Sequence, residues 1–182
     1  MFFVKRILAL FRFCYEVAAK PERAQEFVNG LSIPLALWFL SGVVFFWPAG
    51  FFLGSYSLYH GLVILIPISI LGVMVMAGFW AYTWVLFFAL SKFFGGVEAK
   101  GLFKLIGVCF SILFLGGLFN VLIALVMFRA PLLPNFIVVL LSLGYFVYAI
   151  VKNLQDGLED GAYIVGLLYV LISFILWFAV KL

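Results

Sequence analysis

Residues 91–104 read Ser91-Lys92-Phe93-Phe94-Gly95-Gly96-Val97-Glu98-Ala99-Lys100-Gly101-Leu102-Phe103-Lys104, a charged stretch between two long apolar runs. Residues 27–91 contain no Asp, Glu, Lys or Arg, and neither do residues 105–128. Charged side chains are costly at the centre of a bilayer. The stretch is therefore predicted to be a loop in the water or headgroup layer, with a membrane span on each side of it.

The composition of the chain excludes a water-soluble fold with a large core. Of its 182 residues, 68% are hydrophobic and only 10% are charged, and the mean hydropathy is +1.33. Soluble domains carry roughly 25% charged residues. The net charge of +4 comes from dispersed basic residues, which indicates a bias towards a membrane surface and no nucleic-acid partner.

Residues 1–30 are predicted to form an amphipathic cytoplasmic or interfacial segment. The apolar positions Val4, Ile7, Leu8 and Phe11 follow helical spacing, and the basic residues lie largely off that face. A helix of this kind lies in the membrane interface, with its apolar face towards the acyl chains.

Residues 31–182 are predicted to form one transmembrane domain. Five runs are apolar and long enough, or nearly so, to cross a bilayer, which needs about 20 residues. The fold class is therefore all-α: a polytopic membrane protein with a bundle of five transmembrane helices after the interfacial helix. The spans are approximately 31–53, 62–90, 105–128, 132–151 and 162–180.

The distribution of basic residues predicts the orientation. Five spans place the two termini on opposite sides, and the amino-terminal side then carries nine Lys or Arg residues against two on the other side. The positive-inside rule puts the amino terminus in the cytoplasm and the carboxyl terminus across the cell (inner) membrane. The nine are Lys5, Arg6, Arg12, Lys20, Arg23, Lys92, Lys100, Lys104 and Lys152, and the two are Arg129 and Lys181.

Gly116, Asn120 and Ala124 recur every four residues in the third span. They place two small groups and one amide on a single helix stripe, and such a stripe favours close helix packing in a membrane. We expect it to face protein. Contact between Asn120 and a substrate is the alternative.

Few other residues suggest chemistry. His60 is the single histidine, and a headgroup-level polar residue is its simplest interpretation, with a metal or catalytic role as the alternative. Cys14 and Cys109 are expected at different depths, so neither a disulfide nor a metal pair is predicted. No cofactor is expected.

Three segments resemble the Yip domain family of five-span membrane proteins, in the form found in prokaryotes. The first is Leu90-Ser91-Lys92-Phe93-Phe94-Gly95-Gly96, followed by Glu98, Lys100, Phe103 and Lys104, which is similar to the cytoplasmic loop after span two. The others are the turn at 152–158 and Pro21-Glu22-Arg23 leading into Pro34. The resemblance implies five spans. Eukaryotic members interact with Rab/Ypt GTPases through features that this chain does not have, so GTPase binding is not expected.

Function is predicted mainly by exclusion. The spans offer no Asp, Glu, Lys, Arg or His, so an enzyme is not expected. The predicted role is non-enzymatic: membrane organisation or interaction through lipids, copies of itself or other membrane proteins. Lys92, Lys100 and Lys104 form the candidate surface for lipids or a partner. A small transporter, a channel or the membrane subunit of a transport complex is the alternative, based on Asn120 and Pro67.

Overall fold

The computed structural model describes residues 2–27, 32–53, 58–126 and 132–179, and side chains within 7–27, 33–47, 63–126 and 134–179. The described chain is helical, with no β-strand among these residues. Six α-helices and two 3₁₀ segments follow one another: α1 (Phe2–Ala19), a 3₁₀ segment (Pro21–Phe27), α2 (Ser32–Leu53), α3 (Leu58–Ser91), a short 3₁₀ turn (Lys92–Phe94), α4 (Ala99–Val126), α5 (Leu132–Leu158) and α6 (Gly161–Ala179).

Four helical stretches of the described chain are long and apolar enough to span a membrane. They are Val63–Phe94, Ala99–Val126, Pro134–Leu158 and Gly161–Ala179. The predicted first span is helical, but its described apolar part, Ile33–Trp47, is shorter. The described chain is thus all-helical and of membrane type. Four of the five predicted spans are long and apolar enough to cross a membrane, and a span at 31–53 stays a prediction.

Two helices extend beyond the spans predicted from the sequence. α4 begins at Ala99, six residues before the uncharged run starts, and α5 continues to Leu158 through the segment 152–158 that was expected to be a turn. Composition locates where a helix leaves the apolar layer, whereas a helix continues as long as its backbone bonds are made. The turn between α5 and α6 is short and includes Glu159, which has a positive φ of 47°.

α4 is the central helix of the bundle. It contacts α1, α2, α3, α5 and the 3₁₀ segment Pro21–Phe27. Within its apolar stretch, 67% of the residues are buried, against 17–28% in the other three candidate spans. The low values are those of helices that present one face to protein and the rest to lipid.

α2 packs closely against α3 and α4 because small residues lie at the crossings. A Cβ atom at Gly42 would lie only 2.6 Å from the Cα atom of Val73, and one at Gly117 would lie 3.1 Å from the backbone nitrogen of Phe45. The buried Ser41 hydroxyl donates to the carbonyl oxygen of Phe110 at 2.9 Å. In this packing, α2 runs parallel to α4 and antiparallel to α3.

α1 packs lengthwise against α4. The rings of Phe11 and Phe114 lie 5.9 Å apart, and Cys14 and Val17 are fully buried. The hydroxyl of Tyr145 on α5 donates to the carbonyl oxygen of Ala18 at 2.6 Å. Phe2–Ala19 is helical, but in this structure one face of α1 covers protein, so only its other faces are free to contact lipid. An amphipathic helix lying in the membrane interface stays a prediction.

Candidate lipid and partner surface at the charged end

Three segments that are distant in sequence meet at one end of the bundle. We call this end the charged end and define it by the 3₁₀ segment Pro21–Phe27, the loop 92–98 and the turn 158–161. A Cβ atom at Gly161 would lie 3.0 Å from the Cβ of Phe94, and one at Gly157 would lie 3.9 Å from Val97 Cγ1. The loop between α3 and α4 therefore packs on the turn between α5 and α6.

The loop 92–98 has a defined backbone. Gly95 and Gly96 have φ angles of 110° and 78°, which residues with a Cβ rarely adopt. The Gly96 amide donates to the Ser91 carbonyl oxygen at 2.8 Å and closes the turn after α3. The two glycines are thus required by the turn itself.

Two tryptophans of α3 hold the start of α4. The indole N–H of Trp84 donates to the Ala99 carbonyl oxygen at 2.9 Å, and that of Trp80 donates to the Phe103 carbonyl oxygen at 3.0 Å. The Trp80 ring also stacks on Phe103 at 4.5 Å. The sequence indicated only that these tryptophans lie near a membrane boundary.

The three candidate lysines lie at the charged end, on two neighbouring elements. Lys92 is exposed on the short 3₁₀ turn, and its ammonium group lies 4.9 Å from the centre of the Phe88 ring. Lys100 and Lys104 lie one turn apart at the start of α4, the first exposed and the second half-buried. The structure thus presents two exposed ammonium groups and a third that is partly covered.

The charged end carries both signs of charge. Arg23 and Glu26 form an exposed ion pair at 3.2 Å, which contributes little to stability. At this end, or within two turns of it along the chain, there are six basic and seven acidic residues, so it is a mixed surface rather than a uniformly basic one. They are Lys20, Arg23, Lys92, Lys100, Lys104 and Lys152 against Glu16, Glu22, Glu26, Glu98, Asp156, Glu159 and Asp160.

Asn153 of α5 ties the 3₁₀ segment to the bundle. Its side chain is 2% exposed; Nδ2 donates to the carbonyl oxygens of Pro21 and Ala149, and Oδ1 accepts from the Gln25 amide at 3.1 Å. The Gln25 side chain in turn donates to the Asn153 carbonyl oxygen. The one signal in the sequence is a polar residue at the end of an apolar helix, in the segment 152–158 that was expected to be a turn.

The stripe of Gly116, Asn120 and Ala124 is buried in α4. Gly116 lies against Ser142 of α5, whose Cβ atom would be 2.7 Å from a Cβ added at Gly116. Asn120 is 1% exposed, and its Oδ1 has no hydrogen-bond partner among the described residues. The structure thus puts the stripe inside protein but provides no described partner for the amide oxygen.

The described residues contain no cluster of three or more His, Cys, Asp or Glu side chains that could hold a metal ion. Cys14 and Cys109 are buried free thiols. His60 lies in the first turn of α3, and its side chain is outside the part that the structure describes.

Comparison with known proteins gives no relative: no family model, no curated protein and no solved structure matches the chain.

Proposed function

We propose that this is a non-enzymatic, multi-pass protein of the cell (inner) membrane that acts through lipids and other membrane proteins. The observation that supports this role best is the charged end. Lys92 and Lys100 are exposed there, and the loop 92–98 packs on the turn 158–161. The end adjoins a bundle of apolar helices. Each such charge near an anionic leaflet contributes about 1 kcal/mol.

The orientation that fits this role places the charged end in the cytoplasm. The loop 92–98, the turn 158–161 and the 3₁₀ segment Pro21–Phe27 share that end, and α6 leads from it to the opposite side. Lys and Arg near the spans favour the cytoplasmic side. The segment Pro21–Phe27 is then cytoplasmic, and so is the amino terminus when α1 lies in the membrane interface as the sequence predicts; the carboxyl terminus is on the other side.

The polar groups in the core support a role without catalysis. In the described part of the chain, no Asp, Glu, Lys, Arg or His is buried. A hydroxyl nucleophile requires a neighbouring base, which the buried serines and Thr83 do not have there. The buried polar side chains are Ser41, Thr83, Ser91, Ser111, Asn120, Ser142 and Asn153.

Membership of the Yip domain family is part of the proposal. It is based on the loop from Lys92 to Lys104 and on the five-span topology, in which α2 is the first span. GTPase binding is not included, because the motifs for it are not in this chain.

A transport role is the second candidate, and Asn120 is the observation that favours it. A buried amide oxygen with no described partner, within the apolar part of the central helix, resembles the polar groups that transporters place inside the membrane.

The lysine surface is tested by lipid retention. The protein and its Lys100→Glu/Lys104→Glu variant are purified in mild detergent with a mixture of anionic and zwitterionic lipids. Bound lipids are then counted by mass spectrometry. Losing two contributions of about 1 kcal/mol each predicts at least about 30-fold weaker retention of anionic lipid, most clearly at low salt.

The matched control is Lys100→Arg/Lys104→Arg, which keeps both charges and should retain anionic lipid as the wild type does. Zwitterionic lipid should be unaffected in both variants. If the charge-reversed protein keeps its anionic lipid and its topology, the lysines act only as a topology signal, and the lipid role is wrong.

A further inference from the structure

α1 has an unusual distribution of surface in its docked position. One face is buried against α4 at Cys14 and Val17, yet the opposite side exposes large apolar groups, with Leu8 62% and Tyr15 69% exposed. Arg12 and Glu16 form an ion pair at 2.9 Å, in which the Arg12 side chain is 82% exposed. Because residues three and four apart lie on one face, the side of α1 away from α4 carries exposed apolar and charged groups together.

The depth of this ion pair creates a conflict. Phe11 contacts Phe114, near the middle of α4, so the neighbouring Arg12 lies at the level where α4 carries no charge from residue 105 onwards. An exposed charge facing lipid at that depth is costly. In a bilayer, the docked position of α1 is therefore strained by its own ion pair.

A second position removes the conflict. In the headgroup layer, Arg12 and Glu16 would be solvated, and the apolar groups that now face α4 would enter the acyl chains. Little opposes this move in lipid, because acyl chains cover apolar groups such as Phe114 as well as another helix does. Anionic headgroups would attract Arg12 and the nearby Lys5 and Arg6.

The pivot for such a movement is present. The 3₁₀ segment directly after α1 is tied to α5 through Asn153, which bonds to Pro21 and Gln25. Only one direct hydrogen bond, from Tyr145 to the Ala18 carbonyl oxygen, joins α1 itself to α5 in the described part of the chain. The helix can leave while the segment after it stays in place.

We propose that α1 is a lipid-binding helix that exchanges between two positions: docked along α4, and lying in an anionic membrane interface, with the segment Pro21–Phe27 as the pivot. The inference rests on the membrane location proposed above but not on lipid binding by Lys100 or Lys104.

Distance measurement between spin labels tests the exchange. Spin labels are attached at Leu8→Cys on α1 and Leu122→Cys on α4, because both positions are exposed. The native Cys14 and Cys109 are replaced by serine or alanine so that only these two sites carry a label. In nanodiscs of zwitterionic lipid we expect a short distance. In nanodiscs rich in anionic lipid, a population about 20 Å longer should appear, since Leu8 moves from beside α4 to the charged end.

Two further variants make the result decisive. Arg12→Leu/Glu16→Leu in the same background removes the two charges from the apolar layer and should keep the short distance in every lipid. Arg12→Glu should reduce the long population in anionic lipid. A short distance in all lipids would mean that α1 stays docked, and a long distance in all lipids would mean that it never docks. Either outcome overturns the exchange, and neither bears on the lysine test.

Discussion

Two buried asparagines of this chain have opposite hydrogen-bonding situations. Asn153 is 2% exposed and makes four hydrogen bonds with Pro21, Gln25 and its own helix through its side chain and carbonyl. Asn120 is 1% exposed, and its Oδ1 has no described partner. Buried amides stabilise a structure only when they are paired. Asn153 is therefore the residue that holds the charged end together.

Replacing Asn153 by leucine should release the segment Pro21–Phe27. The Gln25 amide and the Pro21 carbonyl would lose their partners, at roughly 2–3 kcal/mol in total. We expect a lower unfolding temperature in detergent and faster trypsin cleavage after Arg23. Gln155→Ala is the control, because among the described residues the Gln155 side chain accepts a hydrogen bond only from Lys152 Nζ, on its own helix. If trypsin cleaved after Arg23 at the same rate in both variants, Asn153 would not be what fixes the segment Pro21–Phe27 to the bundle.

The sequence could not predict the role of Asn153. Its partners lie 128 and 132 residues away, so no local spacing indicates them. The stripe of Gly116, Asn120 and Ala124 was detectable because its spacing lies within one helix. That spacing predicts that the stripe faces protein, but it cannot predict a partner for the Asn120 amide, whose Oδ1 has none among the described residues.

At the scale of elements, helix identity followed from the apolar runs, whereas helix ends and docking did not. The long α3 and the uncharged run that begins at residue 105 of α4 are helical, as composition predicted, whereas residues 99–104 of the predicted loop belong to α4. The continuation of α5 to Leu158 depends on packing against the segment Pro21–Phe27. The docking of α1 on α4 likewise depends on tertiary contacts and could not be predicted from the local sequence, since the same amphipathic pattern also suits a membrane interface.

Helix packing between α4 and α5 is tested at Gly116. A leucine there would place its Cβ 2.7 Å from that of Ser142, so the two helices would have to separate. Overpacking of this kind costs about 1–3 kcal/mol. Gly78→Leu on α3 is a matched control, because a Cβ at Gly78 meets nothing within 4 Å. Thermal stability in bicelles should fall for Gly116→Leu and stay level or rise for Gly78→Leu. Equal effects would mean that the α4–α5 contact contributes no stability.

At the scale of the whole molecule, the contacts show which helix ends and connections lie together at the charged end. α2 begins beside the first turns of α4, where a Cβ at Gly107 would meet Pro34, and it runs beside α3 to Trp47, whose indole donates to Ser69. α3 returns to the loop 92–98, and α4 and α5 leave and return to the same end. α2 thus leads away from the charged end and α3 leads back to it, as expected if α2 forms the first span.

Reporter fusions test the resulting topology. If α2 crosses the membrane, fusions at Lys100 and Asp156 should report the cytoplasm, and fusions at Ser57 and Leu182 should report the opposite side. The expectation follows from the Lys and Arg distribution and from the shared location of the loop 92–98 and the turn 158–161 at one end. The segment Pro21–Phe27 is the discriminating position, because α3 separates Ser57 from Lys100 whether or not α2 crosses. If α2 did not cross, an accessibility tag in Pro21–Phe27 would report the same side as Ser57. A cytoplasmic signal at Leu182 would instead remove α6 as a span, and with it both the odd number of spans and the Yip-type assignment.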